Sequence, residues 1–421
     1  MTANPAQAPD PDVHASDGGM TPVEVHQAQI LGTIRALPPA ELALEEAEGC
    51  VLAEDIAAAV SLPSFDNSSM DGYAVLASDT VKASDDSPVF LPVTGEIAAG
   101  DTGAFTVTAG SAIRIMTGAR MPSGADAVIP VELTDGGSTQ VGIRQPMASG
   151  NAVRYTGGDA RQGEVLLVTG TRLKPMHIAV AASAGRRKVL VRPRPRVVVL
   201  STGNELAEPG TPLVPGRIWD SNSYMIAAAA REAGAIAHRH PIVPDESASV
   251  LATLEEQLQA ADLLITTGGV SMGGEHDVVK AALSRLGTVT FRKVAMQPGM
   301  PQGFGRVGKN QTPIFTLPGN PVSAYVSFQL FVRPALGALQ EDPTFSLVTV
   351  RATLTGPVRS PAGRRSYLRA TLSEDKSQVA PLRGQGSHQI AALGKASALV
   401  VVPERMTSLD AGAEVDVLVL P

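Results

Sequence analysis

Hydrophobic spacing changes several times along the chain, and each change marks a different kind of element. Val23, His26, Ile30, Ile34 and Leu37 recur at steps of three and four, which predicts a helix over 22–37 with Thr21 as its N-cap. Between residues 41 and 150 the pattern is different. Short runs rich in Val, Thr and Ile (PVFLPV, AFTVT, SAIRIM, AVIPVEL) are separated by Gly, Ser and Asp turns, as in a β-rich module. MHIAVAASAG then predicts a helix closed by Gly185. From 191 to 340 strand and helix alternate. VVVL (197–200) is a continuous apolar run of the buried parallel type, and SNSYMIAAAAREAG is a helix with Ser221 as cap candidate and Gly234 as terminator. A strand ending near Val243, a helix through LATLEEQLQAA, the strand DLLIT and a helix at VVKAALSRLG follow. Two strands, VTFRKVAM and TPIFT, and the helix PVSAYVSFQLFVRPAL complete the series. This alternation predicts a doubly wound parallel sheet covered on both faces. Beyond 345, SLVTVRATL, RSYLRATL, ALVVVP and EVDVLVL return to alternation and predict a small antiparallel barrel or sandwich.

The chain therefore divides into a disordered tail (1–20), a helix and linker region (21–45 with 151–190), an inserted β-rich domain (46–150), an α/β domain (191–340) and a C-terminal β domain (341–421). Composition supports sizeable cores, with 44% apolar and 18% charged residues, while 41 glycines and 32 prolines argue against bundles and coiled coils. The net charge is −7 and no Lys/Arg block stands out, so nucleic acid is not an expected partner. Cys50 is the single cysteine, which excludes an internal disulfide and a thiolate-rich metal site and suits a buried hydrophobe. The polar, proline-rich N-terminus has no signal-peptide character, and no apolar run reaches the roughly 18 residues of a membrane span. The expectation is a soluble, cytoplasmic protein without membrane contact.

The chemistry concentrates where three strands of the α/β domain end in small turns. These are Ser201-Thr202-Gly203-Asn204-Glu205, Thr266-Thr267-Gly268-Gly269-Val270-Ser271 and Thr316-Leu317-Pro318-Gly319-Asn320-Pro321. Ligands of open α/β sheets bind outside the carboxyl ends of strands, where glycine admits close approach and free N–H groups bind anions. A single such turn is equally a tight connection; three together predict a pocket for an anionic small molecule. No G-x-x-x-x-G-K-[ST] and no convincing G-x-G-x-x-G is present, which disfavours ordinary nucleotide-loop chemistry. Glu205, Asp245, Glu275 and Asp277 flank these turns. Acids beside a phosphate pocket make sense with Mg²⁺ between them, and Asp245 and Asp277 equally suit helix capping. In the β-rich module, Phe65-Asp66-Asn67-Ser68-Ser69-Met70-Asp71-Gly72-Tyr73 packs two acids and turn residues before an apolar strand. The seven histidines show no metal spacing, His388 reads as structural or substrate-contacting, and Trp219 and Tyr224 read as packing residues.

FDNSSMDGYAV, IRIMTGA, LSTGNEL, DSN, TTGGVSMGGEHD, PGMPQGFG and LPGNPVSA, in this order, resemble MoeA-type molybdopterin molybdenumtransferases, the family of the gephyrin E domain. The resemblance runs from about residue 22 to the C-terminus. It implies a MogA-like α/β domain, a partly helical linker domain, an inserted β domain and a C-terminal β-barrel, assembled as an elongated homodimer with the active site shared between subunits. It implies molybdate insertion into adenylylated molybdopterin with hydrolysis, AMP release and Mg²⁺, downstream of a molybdopterin adenylyltransferase. Catalytic roles are implied for Asp71, Thr117, Asp159, Glu205, Asp277 and Lys293, with Glu205, Asp245 and Asp277 as metal ligands. Cofactor contacts are implied for Ser201, Thr202, Gly203, Asp220, Asn222, Thr267, Gly268, Gly269, Ser271, Pro301, Pro318, Gly319, Asn320, Ser323, Arg369 and Ser387. Two departures stand out. The family's common K-P-G-K-P reads Gln297-Pro298-Gly299-Met300-Pro301 here, so Arg364, Arg365 or Arg369 with Lys293 would have to supply positive charge; and Asn204 stands where an acid is common. A non-catalytic scaffold and a tungstate-handling paralogue are the alternative readings.

Overall fold

A computed structural model describes residues 19–268 and 278–421, which form two compact units. One contains residues 19–40, 49–51 and 192–421; the other contains 41–48 and 52–191.

The first unit is built on a six-stranded sheet. Its spatial order is Ile236–Arg239, Arg196–Ser201, Leu263–Thr267, Thr312–Leu317, Pro301–Val307 and Gly287–Lys293. The first four are parallel, joined by helical crossovers. Pro301–Val307 runs antiparallel to both its neighbours, because residues 308–311 make too short a turn for a crossover, and Gly287–Lys293 beyond it runs in the same direction as the first four. The sequence pattern gave no strand at Pro301–Val307, since glycine and proline dominate it. At Gly305 the reason is physical: a Cβ would lie 2.1 Å from the Thr288 carbonyl oxygen of the neighbouring strand.

Alternate side chains on the parallel strands feed two cores. Val197, Val199, Ile265, Phe315 and Leu317 meet the helix Asn222–Glu232 and the helical stretch from 321 to 340, while Val198, Leu200, Leu264 and Ile314 meet the helices Ser247–Gln257 and Val278–Leu286. Each fully buried Leu, Ile or Phe contributes about 1.5–3 kcal/mol. The stretch Pro321–Gln340 has a mean hydropathy of 1.2, long and apolar enough for a membrane span, yet 72% of it is buried inside the protein. It is a core element of the sheet domain.

The N-terminal helix is shorter than its pattern, Val23–Leu31, and stops at Gly32 ahead of Pro38 and Pro39. Thr21 is not its cap. Pro22 holds that position, and Thr21 pairs with Val294 in an isolated bridge, its amide donating to the Lys293 carbonyl at 2.7 Å. Val23 and Ile30 are buried in the sheet domain's core, so this helix belongs to that unit. The strand expected near Val243 is Ile236–Arg239, followed by a single bridge between Val243 and Thr202.

At the C-terminus, Thr349–Leu354, Arg365–Leu372, Gln378–Pro381, Ala398–Val402 and Glu414–Val419 close into a barrel. Closure comes from Arg365–Leu372, which pairs with both Gln378–Pro381 and Ala398–Val402.

The second unit carries a five-stranded sheet ordered Ala127–Pro130, Gly72–Val75, Ala112–Ile115, Val89–Ile97, Gln140–Ile143. Tyr73 and Ile129 face one core, and Ala74, Ile113 and Val128 the other. Its helix, Pro175–Ser183, starts with proline at its first position and ends before Gly185 at φ +85°, as the sequence pattern indicates.

Candidate functional site

In the sheet domain the three glycine turns meet. Gly268 donates to the Leu317 carbonyl at 3.0 Å, and a Cβ on Gly268 would lie 3.3 Å from the Thr202 carbonyl oxygen. A Cβ on Gly319 would lie 3.8 Å from Gly268 Cα. Beneath them the hydroxyls of Ser201 and Thr267 are 2.7 Å apart, and Ser201 donates to Asp220 at 3.2 Å. Asp220 is 1% exposed and also accepts the Ser223 amide and hydroxyl. Asp220, not Ser221, therefore caps the helix Asn222–Glu232; the Ser221 side chain makes no cap bond.

Several polar atoms at this edge have no protein partner. Asn222 donates to the Gly319 carbonyl at 2.6 Å, but its Oδ1 is buried and unpaired. Thr266 and Thr316 stand opposite one another on neighbouring strands, and both hydroxyls are buried and unpaired. Unsatisfied buried groups cost about 1–3 kcal/mol each, so a polar ligand or water is their natural partner.

Glu205 bends back over the first turn. Gly203 has φ +151°, and a Cβ there would sit 2.5 Å from Glu205 Oε2, so only glycine leaves room for the carboxyl group. The Asp245 loop touches the same turn, with Val243 donating to the Ser201 carbonyl at 3.0 Å and Asp245 donating its amide to Asn204 Oδ1 at 3.3 Å. Glu205 and Asp245 thus occupy touching loops. Among the described residues no three His, Cys, Asp or Glu side chains cluster as a metal site. Gly269, Ser271, Glu275 and Asp277 lie outside the described residues.

Behind the Asp245 loop lies a group the sequence pattern did not mark. Arg239 binds Glu208 at 2.7 and 3.0 Å, and its guanidinium lies 4.2 Å above the Tyr224 ring. Burial raises the Glu208 carboxyl, but hydrogen bonds from Arg239 and Tyr224 outweigh it and hold the group below the ordinary carboxylate range. Arg239 arrives from the edge strand and Glu208 from a proline-rich loop, and no spacing rule links the two.

The barrel contributes to the third turn. Asn320 donates to the Ser387 hydroxyl at 2.9 Å, and Val322 donates to the Ser387 carbonyl at 3.1 Å. Ser323 and Pro318 are buried beside them, whereas Lys293 is exposed at its strand end opposite Pro301.

In the second unit Asp71 and Thr117 come together. Asp71 Oδ1 accepts the Thr117 amide at 2.6 Å and its hydroxyl at 2.8 Å, and these bonds hold the carboxyl below its ordinary range. Asp66 accepts Thr156 in the same way, at 2.7 Å from both donors. Asp159 donates its amide to the Leu62 carbonyl at 2.9 Å, at the start of the loop that carries Asp66 and Asp71. The side chains of Asp71 and Asp159 are exposed.

Residues 21–185 match the MoeA N-terminal region (domains I and II), 198–338 a probable molybdopterin-binding domain, and 351–420 the MoeA C-terminal region (domain IV). Molybdopterin molybdenumtransferase 2 of Mycobacterium tuberculosis is 45% identical over 404 residues, which cover 94% of this chain and 99% of that protein. The chain belongs to the MoeA family of molybdopterin molybdenumtransferases. The Bacillus subtilis member is 36% identical over 386 residues, covering 90% of this chain and 89% of that one. Among solved structures, a molybdopterin biosynthesis MoeA protein from Pyrococcus horikoshii superposes with a TM-score of 0.75 at 33% identity, covering 95% of this chain and 99% of that one. The α/β domain is accordingly MogA-like, and the family's C-terminal domain is the closed barrel.

Against the family's K-P-G-K-P, the neutral Gln297 and Met300 keep one arginine beside them. Arg364 donates to Gln297 Oε1 at 3.3 Å. The other two arginines expected to supply charge are engaged elsewhere. Arg365 is paired with Glu24 and, at 3.0 Å, with Glu404. Arg369 is 1% exposed and spends its guanidinium on the carbonyls of Gly384, Gly386 and Gln389. Its contact with the site runs through the loop that carries Ser387.

Proposed function

We propose that the protein inserts molybdate into adenylylated molybdopterin, hydrolysing the adenylyl phosphoanhydride and releasing AMP, in a Mg²⁺-dependent step. Family membership makes it an enzyme of molybdenum cofactor biosynthesis. The observation that carries the finer reading is the meeting of three glycine turns over unpaired Asn222, Thr266 and Thr316 oxygens. Such an edge suits a ligand rich in phosphate oxygens and polar ring atoms.

Within this reading the chain's own groups have separable tasks. Backbone N–H groups of the turns at 203–204 and 319–320 bind the phosphates. Asp220 fixes the Ser201 hydroxyl, which in turn orients Thr267. Asn222 ties the start of its helix to the Gly319 turn and leaves Oδ1 for the cofactor. Glu205 and Asp245, on touching loops, have the oxygen donors Mg²⁺ takes, and Asp277 is the third acid of this set. When bound, the ion offsets the repulsion between these acids and the phosphates and polarises the phosphoanhydride. Arg364, next to Gln297, is the cation best placed to replace the missing lysines toward molybdate.

The reading includes a homodimer in which the partner subunit's Asp71 and the partner subunit's Thr117 serve the strand-end pocket. It also places the protein in the cytoplasm, downstream of a molybdopterin adenylyltransferase that supplies the adenylylated substrate. AMP release from adenylylated molybdopterin in the presence of molybdate tests it. Mg²⁺ is required, and Glu205→Gln lowers the rate about 10²-fold or more while the fold persists. Unchanged release in a chelator, or in Glu205→Gln, overturns the reading.

A further inference from the structure

The inner face of the two antiparallel edge strands has the wrong chemistry for a face covered by a helix. Alternation places Thr288, Thr290 and Arg292 on it, and the register sets Arg306 and Phe304 beside Thr288 and Thr290. Phe304 alone among these is apolar. Between this face and the helix Val23–Leu31 lies a cavity of about 370 Å³ lined by His26, Gln29, Thr33, Thr290, Arg292 and Arg306. A second cavity of about 620 Å³ shares Thr33 and Arg306 with it and adds Arg35 and Arg196. Both volumes fall within the roughly 300–1,000 Å³ of small-molecule sites.

The charge in this cleft is unbalanced. Arg35, Arg292 and Arg306 have no acidic partner among the described residues. Asp262 is the one acid lining either cavity, and it is taken up by Arg196, which binds it through its amide at 2.8 Å and its guanidinium at 2.9 and 3.1 Å. His26 adds no charge. Burial first, and then the nearby Arg292, lower its pKa to about 4, so the ring is neutral. Arg292 and Arg306 are half-buried, and guanidinium groups so placed without counter-charge are costly, in a chain whose net charge is −7.

The cleft is also separate from the glycine turns. Arg196, Asp262, Thr312 and Pro313 stand at the amino ends of the parallel strands or just before them, Arg292 stands near the carboxyl end of its own strand, and none of the turn residues lines either cavity. Arg292 is four residues along its strand from Thr288, which faces Arg306, so the two arginines are about 13 Å apart at the backbone. Guanidinium groups bind oxyanions bidentately, and this spacing suits two oxyanion groups on one molecule better than a single compact ion.

We propose that this cleft is a second binding site, for an elongated small anion bearing phosphoryl groups at both ends, on the last two strands of the sheet beneath the N-terminal helix and sharing no lining residue with the glycine turns. Inorganic tripolyphosphate is the probe, titrated calorimetrically into the full-length protein at physiological ionic strength, with orthophosphate as the compact control. The proposal expects one saturable site, at least tenfold weaker binding in Arg292→Gln and in Arg306→Gln, and unchanged binding in Asn222→Ala at the glycine turns. Both arginine variants keep a melting temperature at or above that of the parent, because they remove uncompensated charge. Binding that survives both arginine substitutions, or that Asn222→Ala abolishes, overturns the proposal. So does orthophosphate binding equally well, or a change in subunit association in place of lost anion binding, which would assign the arginines to a protein contact.

Discussion

A carboxylate that accepts both the amide and the hydroxyl of one threonine is held ionised and in one orientation. Asp71 does this with Thr117, Asp66 with Thr156 and Asp55 with Thr169. In each, hydrogen bonds to the charged form lower the pKa. Thr117→Val therefore raises the Asp71 pKa toward its ordinary value, read by NMR titration, with little effect on stability because Asp71 is exposed. An unmoved pKa would contradict the pairing. His26 takes up its proton at lower pH than a surface histidine. Its folded pKa of about 4 lies below the ordinary imidazole value of 6.5, so the unfolded chain takes up the proton first. Its contribution to stability is complete above pH 6.5 and is lost as pH falls toward 4, by about 3 kcal/mol over that window. Melting curves of His26→Gln should lack that component; the same acid slope in the variant would contradict it. The turn residues at the strand ends were legible as residues, because glycine and hydroxyl side chains after an apolar run have few other uses. Glu208 and Arg239 were not, since their pairing depends on two loops folding together.

Elements were read best where one period dominated. VVVL and LLIT stood out because both faces of those strands are buried. The strand Pro301–Val307 was hidden by the glycines that let its neighbours approach. The N-terminal helix was overextended because Ile34 and Leu37 pack against the same core after the helix has ended. The barrel strands were legible, but the loop 384–389 was not, because an arginine buried on the outer face of the barrel organises it. Arg369 donates to three of that loop's carbonyls, and the Gln385 side chain closes back on the Arg369 backbone. Arg369→Gln strands these acceptors and should cost about 1–3 kcal/mol. Thermal unfolding and faster amide exchange around Ser387 would show it; unchanged exchange there would contradict the positioning role.

At the scale of the whole molecule, the order of motifs carried more information than any single one. Each βα turn by itself is a common connection, and the clamp of Asp71 by Thr117 is a local device. The proposal that a second copy of the chain joins them into one active centre could not come from sequence periodicity, which says nothing of symmetry. Complementation between inactive subunits tests this most directly. Asp71→Asn and Glu205→Gln chains, each inactive alone, are co-expressed with different tags, the mixed dimer is isolated, and AMP release is measured. A site shared across subunits leaves one intact centre in that dimer, so activity returns to about half that of the parent. A mixed dimer as inactive as either variant would contradict the shared catalytic centre.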